Sequence, residues 1–220
     1  MVSTFINATA EEKAVPEKKA PLTLGVLVFP GFELLDAMGP LEMFGNVGPE
    51  LKVLLVAEAA GEVPSSQKVK VVADYGFADC PALDIIMVPG GFGALQVLGN
   101  ETILSFLRDR SAKAQLTTSV CNGSQILAAA GILDGKRATT NKAYYSQITA
   151  PMTKVNWVKE ARWVEDGNII TSSGVSAGMD MALAVIARLF GNERAEAIAQ
   201  NTEYTWHKDA NVDPFAQFAR

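Results

Sequence analysis

The sequence predicts one α/β domain in which a mostly parallel sheet is sandwiched between helices, with small added β-hairpins. Short apolar runs, typical of buried strands, alternate along the chain with helical patterns, and several of these runs stop at Gly or Pro turns. The 220 residues are 49% hydrophobic and 20% charged, a composition typical of a single compact domain. Because strand and helix alternate, helices are expected to cover both faces of the sheet.

The first half of the chain supplies three strands and a hairpin. An uninterrupted apolar run at residues 24–29 stops at a Pro-Gly pair and predicts a buried strand, with a helix following over 34–44. A second parallel strand is predicted at 52–57. Residues 63–74 lie between turn-rich segments and partly alternate in polarity, which predicts a small hairpin appended to the sheet. A third strand is expected at 84–88.

The second half continues the alternation. A Gly-rich turn leads into a helix over 94–110, a strand follows at 116–120, and this strand runs through Cys121 into a short helix ending near residue 130. The remaining predicted elements are a short strand near 138–141, a helix near 143–150, hairpin strands at 162–165 and 168–171 around Asp166-Gly167, and helices at about 177–190 and 193–202.

Composition limits the domain organisation and the partners. Residues 1–21 are polar, rich in Lys and Glu and without a period, so we predict a disordered leader before a single domain at 22–220. The net charge of −5 without long like-charge blocks predicts no binding to nucleic acid or to an anionic membrane. No apolar run approaches the roughly 18 residues of a membrane span. We therefore expect a soluble, cytoplasmic protein that acts on a small molecule.

Cysteine and histidine are scarce. Cys80 and Cys121 are too few for a disulfide framework, and with His207 as the single histidine a Cys/His zinc cluster is not expected. No acidic cluster stands at the spacing of ligands for a hard cation. The sequence therefore predicts neither a metal nor a cofactor.

Cys121 stands where an open α/β sheet carries its reactive surface, beyond the carboxyl end of a strand. A nucleophile elbow at such a turn requires small neighbours, and Ser119 and Gly123 meet that demand. At a helix N-terminus, unpaired N–H groups and the helix dipole favour the thiolate, which predicts a lowered pKa for Cys121. The alternative, a buried structural cysteine, is the interpretation that we give to Cys80.

Two other loops are expected at the same edge of the sheet. Consecutive glycines at 90–91 let N–H groups point inward, so Gly91 and the N–H of Asn122 are candidate oxyanion donors. The loop after the first strand carries Glu33 and Asp36. A carboxyl group beside a thiolate is expected to share one proton with it, and protonated Asp36 would then be a general acid. Glu33 is the competing candidate, and Asp36 has a structural alternative as a carboxylate in the first turn of a helix.

These residues together resemble the ThiJ/PfpI superfamily over residues 24–218, which implies a flavodoxin-like fold within the class I glutamine-amidotransferase-like group. The motifs that carry the resemblance are Phe29-Pro30-Gly31, Leu35-Asp36-x-x-Gly39-Pro40, Val88-Pro89-Gly90-Gly91, Ser119-Val120-Cys121-x-Gly123, Ala129-Ala130-Gly131-x-Leu133-x-Gly135-x-x-Ala138-Thr139-Thr140, Thr171 to Gly178, Tyr204-x-Trp206-His207-x-Asp209 and Asp213-Pro214-Phe215.

Within the superfamily the pattern is similar to the isonitrile hydratase branch, whose members convert R–NC to an N-substituted formamide. The resemblance implies that Cys121 attacks the terminal isonitrile carbon and that Asp36 handles the proton. That branch usually has threonine directly after the cysteine, whereas this chain has Asn122. An amide offers two donors and one acceptor, so it would hold water or substrate differently. Asn122 also has a structural alternative as a helix N-cap.

Two other functions stay open. One is a cofactor-free glyoxalase or deglycase using Glu33 or Asp36 as its base, and the other is a non-enzymatic stress protein whose Cys121 is oxidised. The residue after Cys121 is not the histidine of the Cys/His branches, and His207 is interpreted as a surface or interface residue. The resemblance also implies a homodimer, for which the candidate apolar contacts are Tyr204, Trp206 and Phe215.

Overall fold

A computed structural model describes residues 20–219, so the predicted leader at 1–21 lies, except for its last two residues, outside the described part. The strands, in chain order, are β1 (Leu22–Leu27), β2 (Leu51–Val56), β3 (Gly61–Pro64), β4 (Lys70–Ala73), β5 (Ile85–Val88), β6 (Leu116–Ser119), β7 (Arg137–Ala138), β8 (Asn156–Trp157), β9 (Trp163–Asp166) and β10 (Ile169–Ser172). The helices are α1 (Leu34–Gly45), α2 (Ala94–Val97), α3 (Glu101–Ser111), α4 (Gly123–Ala129), α5 (Tyr145–Thr149), α6 (Ala177–Phe190) and α7 (Asn192–Asn201).

Six strands form the central sheet in the order β2-β1-β5-β6-β10-β9. All neighbours pair in parallel except β9, which is antiparallel to β10 through the predicted turn at Gly167. The helices flank this sheet in two groups, in which α6 contacts α1 and α7, and α4 contacts α2 and α3. The apolar run of β1 is buried on both faces of the sheet, as at Leu24 and Leu27, because the helices cover both faces. The predicted α/β fold class is thus confirmed.

Several element boundaries differ from the prediction. The helix expected at 94–110 is broken into α2 and α3, because the side chain of Asn100 accepts hydrogen bonds from the N–H groups of Thr102 (3.1 Å) and Ile103 (3.3 Å) and caps a new helix. The hairpin of β3 and β4 is a separate two-stranded sheet. The short strand expected at 138–141 covers only Arg137–Ala138 and pairs with β8, outside the central sheet.

A buried ion pair ties the start of β9 to α6 and to the C-terminal segment. Arg162 Nε donates to Asp180 Oδ2 at 2.6 Å, and both side chains are almost fully buried. The other oxygen of Asp180 accepts from Tyr204 Oη at 3.1 Å and from the N–H of His207 at 2.9 Å. Trp206 Nε1 donates to the Asp180 carbonyl at 3.2 Å. This carboxylate therefore holds the C-terminal segment on the domain.

The same contacts qualify the expected dimer surface. Tyr204 and Trp206 are partly buried against their own domain, so they are not free apolar contacts, whereas Phe215 is half exposed. The side chain of His207 is exposed, as the sequence predicts for a surface residue. Over residues 20–219, no helix has both the length and the apolar character of a membrane span.

Candidate functional site

Cys121 lies on a sharp turn between β6 and α4, as the sequence predicts. Its φ of +57° is in the left-handed region that non-glycine residues avoid, which is typical of a nucleophile elbow. A Cβ atom at Gly123 would lie 2.1 Å from the Val88 carbonyl oxygen, so the turn tolerates no side chain there. The N–H of Cys121 donates to the Ser173 carbonyl at 3.3 Å. Strand β5 and the loop after β10 therefore hold the elbow from both sides.

The thiol of Cys121 is buried, and this overturns one prediction. Burial raises its pKa well above the ordinary range, and the charge of Asp36 raises it further, while hydrogen bonds from the Asn122 N–H and from the Asn141 side chain lower it. The expected lowering of the pKa is therefore wrong. Helix α4 has only seven residues, and loss of hydration outweighs the effect of its N-terminus on the sulfur.

Asp36 is the acidic group that interacts with the Cys121 thiol. It lies in the first turn of α1, is fully buried, and accepts a hydrogen bond at Oδ2 from the N–H of Gly90 at 2.9 Å. Its other oxygen, Oδ1, has no hydrogen-bond partner among residues 20–219. Burial raises the pKa of Asp36 to about 8, the Gly90 N–H opposes this, and the charge of Glu33 adds to it.

The pair of Asp36 and Cys121 therefore retains both protons near neutral pH. Each group is desolvated, and ionisation of either one disfavours ionisation of the other. The sequence predicts that the two groups share a single proton over the whole working pH range. In the structure this sharing begins only as the pH rises towards about 8. Asp36 is thus a carboxylic acid placed beside the thiol.

Replacing Asp36 with asparagine should stabilise the fold at high pH. The unfolded chain ionises this carboxyl near pH 3.9, whereas the folded protein keeps its proton up to about pH 8. Unfolding therefore releases a proton between these values, and the free energy of unfolding falls as the pH rises through that window. The amide keeps an acceptor for the Gly90 N–H and does not titrate. We expect Asp36→Asn to raise the free energy of unfolding by about 2 kcal/mol at pH 8.

Urea denaturation at pH 4 and at pH 8 measures this effect. The two proteins should differ by only about 0.5 kcal/mol at pH 4, because Asp36 is then protonated in the folded state and about half protonated in the unfolded state. A stability difference that does not change with pH would contradict the raised pKa.

Asn122 pairs with the glycine turn after β5. Its Nδ2 donates to the Gly91 carbonyl at 3.1 Å, and its Oδ1 accepts from the Gly91 N–H at 2.7 Å. It occupies the N-cap position of α4, but its side chain makes no capping hydrogen bond there. The Gly91 N–H is thus engaged and is not the free oxyanion donor that the sequence predicts. Of the two candidate donors, the N–H of Asn122 is therefore the one that acts on the thiol, whose pKa it lowers.

Gly91 is fixed by its own geometry. Its φ is +126°, and a Cβ atom there would lie 2.4 Å from the backbone nitrogen of Glu33. The glycine turn and the start of α1 can approach this closely only without a side chain. The turn therefore brings Glu33, Asp36 and the elbow to one edge of the sheet.

Asn141 is the site residue that the sequence analysis missed. Its Oδ1 accepts from the N–H of Tyr144 at 3.2 Å, which turns Nδ2 towards the Cys121 sulfur. A Cβ atom at Gly174 would lie 2.4 Å from Asn141 Nδ2 and 2.8 Å from Cys121 Sγ, so this glycine leaves room for both. The available signal was a polar side chain at the end of the strand predicted near 138–141.

A cavity of about 350 Å³ opens beside the thiol. Its walls are mostly apolar, with amide side chains between the apolar ones, and Phe92 and Tyr144 meet edge to face at 6.3 Å between ring centroids. The lining residues are Glu33, Gly91, Phe92, Leu95, Cys121, Asn122, Gln125, Asn141, Tyr144, Gln147, Ile148 and Val175. The arrangement presents a soft nucleophile, with an acid behind it, to a small apolar substrate.

Cys80 has no comparable setting. It is buried beside Pro81, and Arg110 donates to its carbonyl oxygen at 2.8 Å, as expected for a structural residue. In the part of the chain that the structure describes, no three His, Cys, Asp or Glu side chains converge as a metal site would require.

Several known proteins are similar to this chain over most of its length. The isonitrile hydratase of Pseudomonas putida is 40% identical over 183 residues, which cover 83% of this chain and 78% of that protein. Protein dj-1beta of Drosophila melanogaster is 26% identical over 80% of this chain and 93% of its own length. Among solved structures, a ThiJ/PfpI family protein from Pseudomonas syringae superposes with a TM-score of 0.78 at 34% identity, covering 91% of this chain and 82% of that one.

The family pattern itself spans most of the domain. The signature of the DJ-1/PfpI family matches residues 23–188, from the first strand to the last turns of α6, and so includes the elbow, the glycine turn and Asp36. With the likeness to the hydratase over most of both chains, this extent leaves one assignment: the chain belongs to the DJ-1/PfpI family.

Proposed function

We propose that this protein is an isonitrile hydratase-like lyase, which adds water to an isonitrile R–NC to give the formamide R–NH–CHO. The observation that carries the proposal is the buried Asp36 carboxylic acid beside Cys121 at the side of a mostly apolar cavity. An isonitrile carbon needs both a soft nucleophile and a proton, and this pair supplies both. The 40% identity to an isonitrile hydratase supports the same reaction.

The first step forms a covalent intermediate. The sulfur of Cys121 attacks the terminal carbon, Asp36 gives that carbon its proton, and the thiol proton passes to Asp36. The product is the thioimidate R–N=CH–S–Cys121, with no net change of charge. A neutral thiol and a neutral carboxylic acid are sufficient reactants for this exchange, so the raised pKa values do not prevent it.

The second step is hydrolysis. Water adds to the thioimidate carbon, the nitrogen takes up one proton, and the carbon–sulfur bond breaks to release R–NH–CHO. The remaining proton returns to the sulfur through Asp36. The N–H of Asn122 and the side-chain amide of Asn141, which both lower the pKa of the thiol, stabilise the negative charge that the sulfur carries as it leaves.

Incubation of the protein with an aryl and an alkyl isonitrile, with formamide followed by chromatography, tests the proposal. Formamide formation at a rate proportional to protein concentration is expected. The open alternatives are assayed in parallel: lactate from methylglyoxal for the glyoxalase, and uptake of two oxygens at Cys121 after mild peroxide for the stress protein. No formamide from several isonitriles, with lactate formed instead, would replace the proposal with the glyoxalase function.

Exchange of Asn122 for threonine tests the chain's departure from the hydratase branch. The variant loses both hydrogen bonds to Gly91, so the free energy of unfolding should fall by about 1–2 kcal/mol in urea denaturation. It also frees the Gly91 N–H to stabilise charge on the substrate, and kcat/KM for the isonitrile should rise about tenfold.

Asn122→Ala is the matched control, because it frees the same N–H without adding a hydroxyl. It should share the rise in kcat/KM if the Gly91 N–H is responsible. Loss of turnover in both variants would mean that the amide itself takes part in the reaction, and the role given to the N–H would be wrong.

The resemblance supports a proposal on assembly, and the sequence pattern supports one on location. We propose a homodimer that acts on a small molecule in the cytoplasm. Sedimentation equilibrium at micromolar concentration measures whether the protein is a dimer. The half-exposed Phe215 is the member of the predicted apolar set available for such a contact.

A further inference from the structure

The cavity beside the thiol is uneven in charge. Apart from Cys121 and Tyr144, its only ionisable lining residue is Glu33, and no Lys, Arg or His lines it within residues 20–219. The other polar groups of the wall are the neutral amides of Asn122, Gln125, Asn141 and Gln147. A negatively charged substrate would therefore find no cation on the wall and one carboxylate.

The carboxylate of Glu33 is held in place. Gln67 Nε2 donates to Glu33 Oε1 at 2.7 Å, and the same glutamine accepts at Oε1 from the N–H of Leu34 at 3.0 Å. The N–H of Glu33 donates to the Gly90 carbonyl at 2.7 Å, which anchors its backbone to the glycine turn. Its charge also reaches the reacting pair, since it contributes to the raised pKa of Asp36.

We propose that Glu33 selects substrates by charge, so that the cavity admits uncharged and ammonium-bearing isonitriles and rejects carboxylate-bearing ones. The identity of the reacting group rests on the proposed hydratase function, whereas the charge selection itself does not. The mostly apolar wall suits the hydrocarbon part of the substituent, and the carboxylate suits a cation at its far end. Glu33 is thus a specificity-determining residue and not the proton carrier, a role that we propose for Asp36.

Charged thiol reagents of matched size test the selection without any turnover. The second-order rate constants for modification of Cys121 by 2-(trimethylammonio)ethyl and 2-sulfonatoethyl methanethiosulfonate are measured by peptide mass spectrometry at low ionic strength. Cys80→Ser is the background, so that a single thiol reacts. We expect the cation to react about tenfold faster than the anion, and this ratio to fall to about two in Glu33→Gln. The ratio cancels any change in the intrinsic reactivity of the thiol.

Two further variants make the test sharper. Glu193→Gln removes the same charge from an exposed position on α7 and should leave the ratio unchanged. Leu95→Lys adds a cation at an exposed position of the cavity wall and should reverse the preference. An unchanged ratio in Glu33→Gln would overturn the proposal, and so would failure of both reagents to reach Cys121.

A comparison of substrates then tests whether the charge selection also operates in the proposed reaction. An aminoalkyl isonitrile and a neutral alkyl isonitrile should both be hydrated at least tenfold faster than isocyanoacetate, as judged by kcat/KM. If no isonitrile is hydrated but the reagent ratio behaves as expected, the proposed function fails and the charge selection stands. If hydration occurs with no difference among the three, the charge selection fails and the proposed function stands.

Discussion

Replacing Cys121 with serine should abolish formamide formation, with a loss in kcat of at least about 1,000-fold. A hydroxyl is far less acidic than a thiol and is a harder, weaker nucleophile towards an isonitrile carbon. The substitution keeps the left-handed turn and removes little volume, so the fold should persist. The assay is formamide formation by the two proteins at equal concentration, with thermal unfolding followed by circular dichroism to show that both are folded.

Cys80→Ser is the control for this result, because Cys80 is also buried but lies outside the elbow. It should keep the turnover of the unchanged protein. A covalent intermediate gives a second measure, since rapid acid quenching should trap on Cys121 an adduct with the mass of the isonitrile. Turnover by Cys121→Ser at a tenth or more of the original rate would exclude a thioimidate on this residue.

Replacing Asp180 with alanine should lower the free energy of unfolding by about 3–5 kcal/mol. The change removes the carboxylate that accepts from Arg162 Nε, and it leaves the buried guanidinium with Asp213, whose Oδ1 lies 3.6 Å from Arg162 Nη1. It also removes the acceptor for Tyr204 and for the N–H of His207. A buried guanidinium that loses its hydrogen-bonded carboxylate costs much more than the intact pair contributes. Urea denaturation measures the loss, and the C-terminal segment should become sensitive to proteolysis.

Glu165→Ala is the matched control for this prediction. Its carboxylate pairs with Arg188 at 3.2 Å, but both side chains are more than 40% exposed. Solvent screens such a pair, so the loss should be under about 1 kcal/mol. The double variant Arg162→Met with Asp180→Leu should regain part of the stability, because it removes the two charges of this pair while Asp213 keeps Lys142 Nζ at 3.8 Å. A loss for Asp180→Ala as small as that of the control would mean that the pair does not anchor the C-terminal segment.

The fold could be predicted because its main signals are local. Apolar runs bounded by Gly and Pro mark the strands, and the Asp166-Gly167 pair marks the hairpin that adds an antiparallel strand to the sheet. The break between α2 and α3 was missed because its cause is a single capping side chain, Asn100, inside an otherwise helical pattern. The separation of β7 from the central sheet depends on its pairing with β8, which lies 19 residues further along the chain and carries no periodic signal of its own.

The site was predictable in position but not in its electrostatics. The strand-to-helix turn identifies Cys121, and the neighbouring loop identifies Asp36, because both follow strands of one parallel sheet. The direction of the pKa of Cys121 depends on how deeply the sulfur is buried and on which amides reach it, and these contacts come from Asn141 and Gly174 in distant loops. The position of Cys121 at a helix N-terminus, taken alone, predicts a shift of its pKa in the wrong direction.

The amide of Asn122 has a consequence for how this turn can change over evolutionary time. The Asn122 side chain forms hydrogen bonds with both the N–H and the C=O of Gly91, and these two bonds link the loops beyond the ends of β5 and β6. Hydrogen bonds between backbone groups persist through most substitutions. These two bonds depend on a side chain, and a single nucleotide change from an asparagine to a threonine codon removes them. A substitution at this one position can therefore change the rigidity of the backbone beside the thiol while the rest of the fold stays the same.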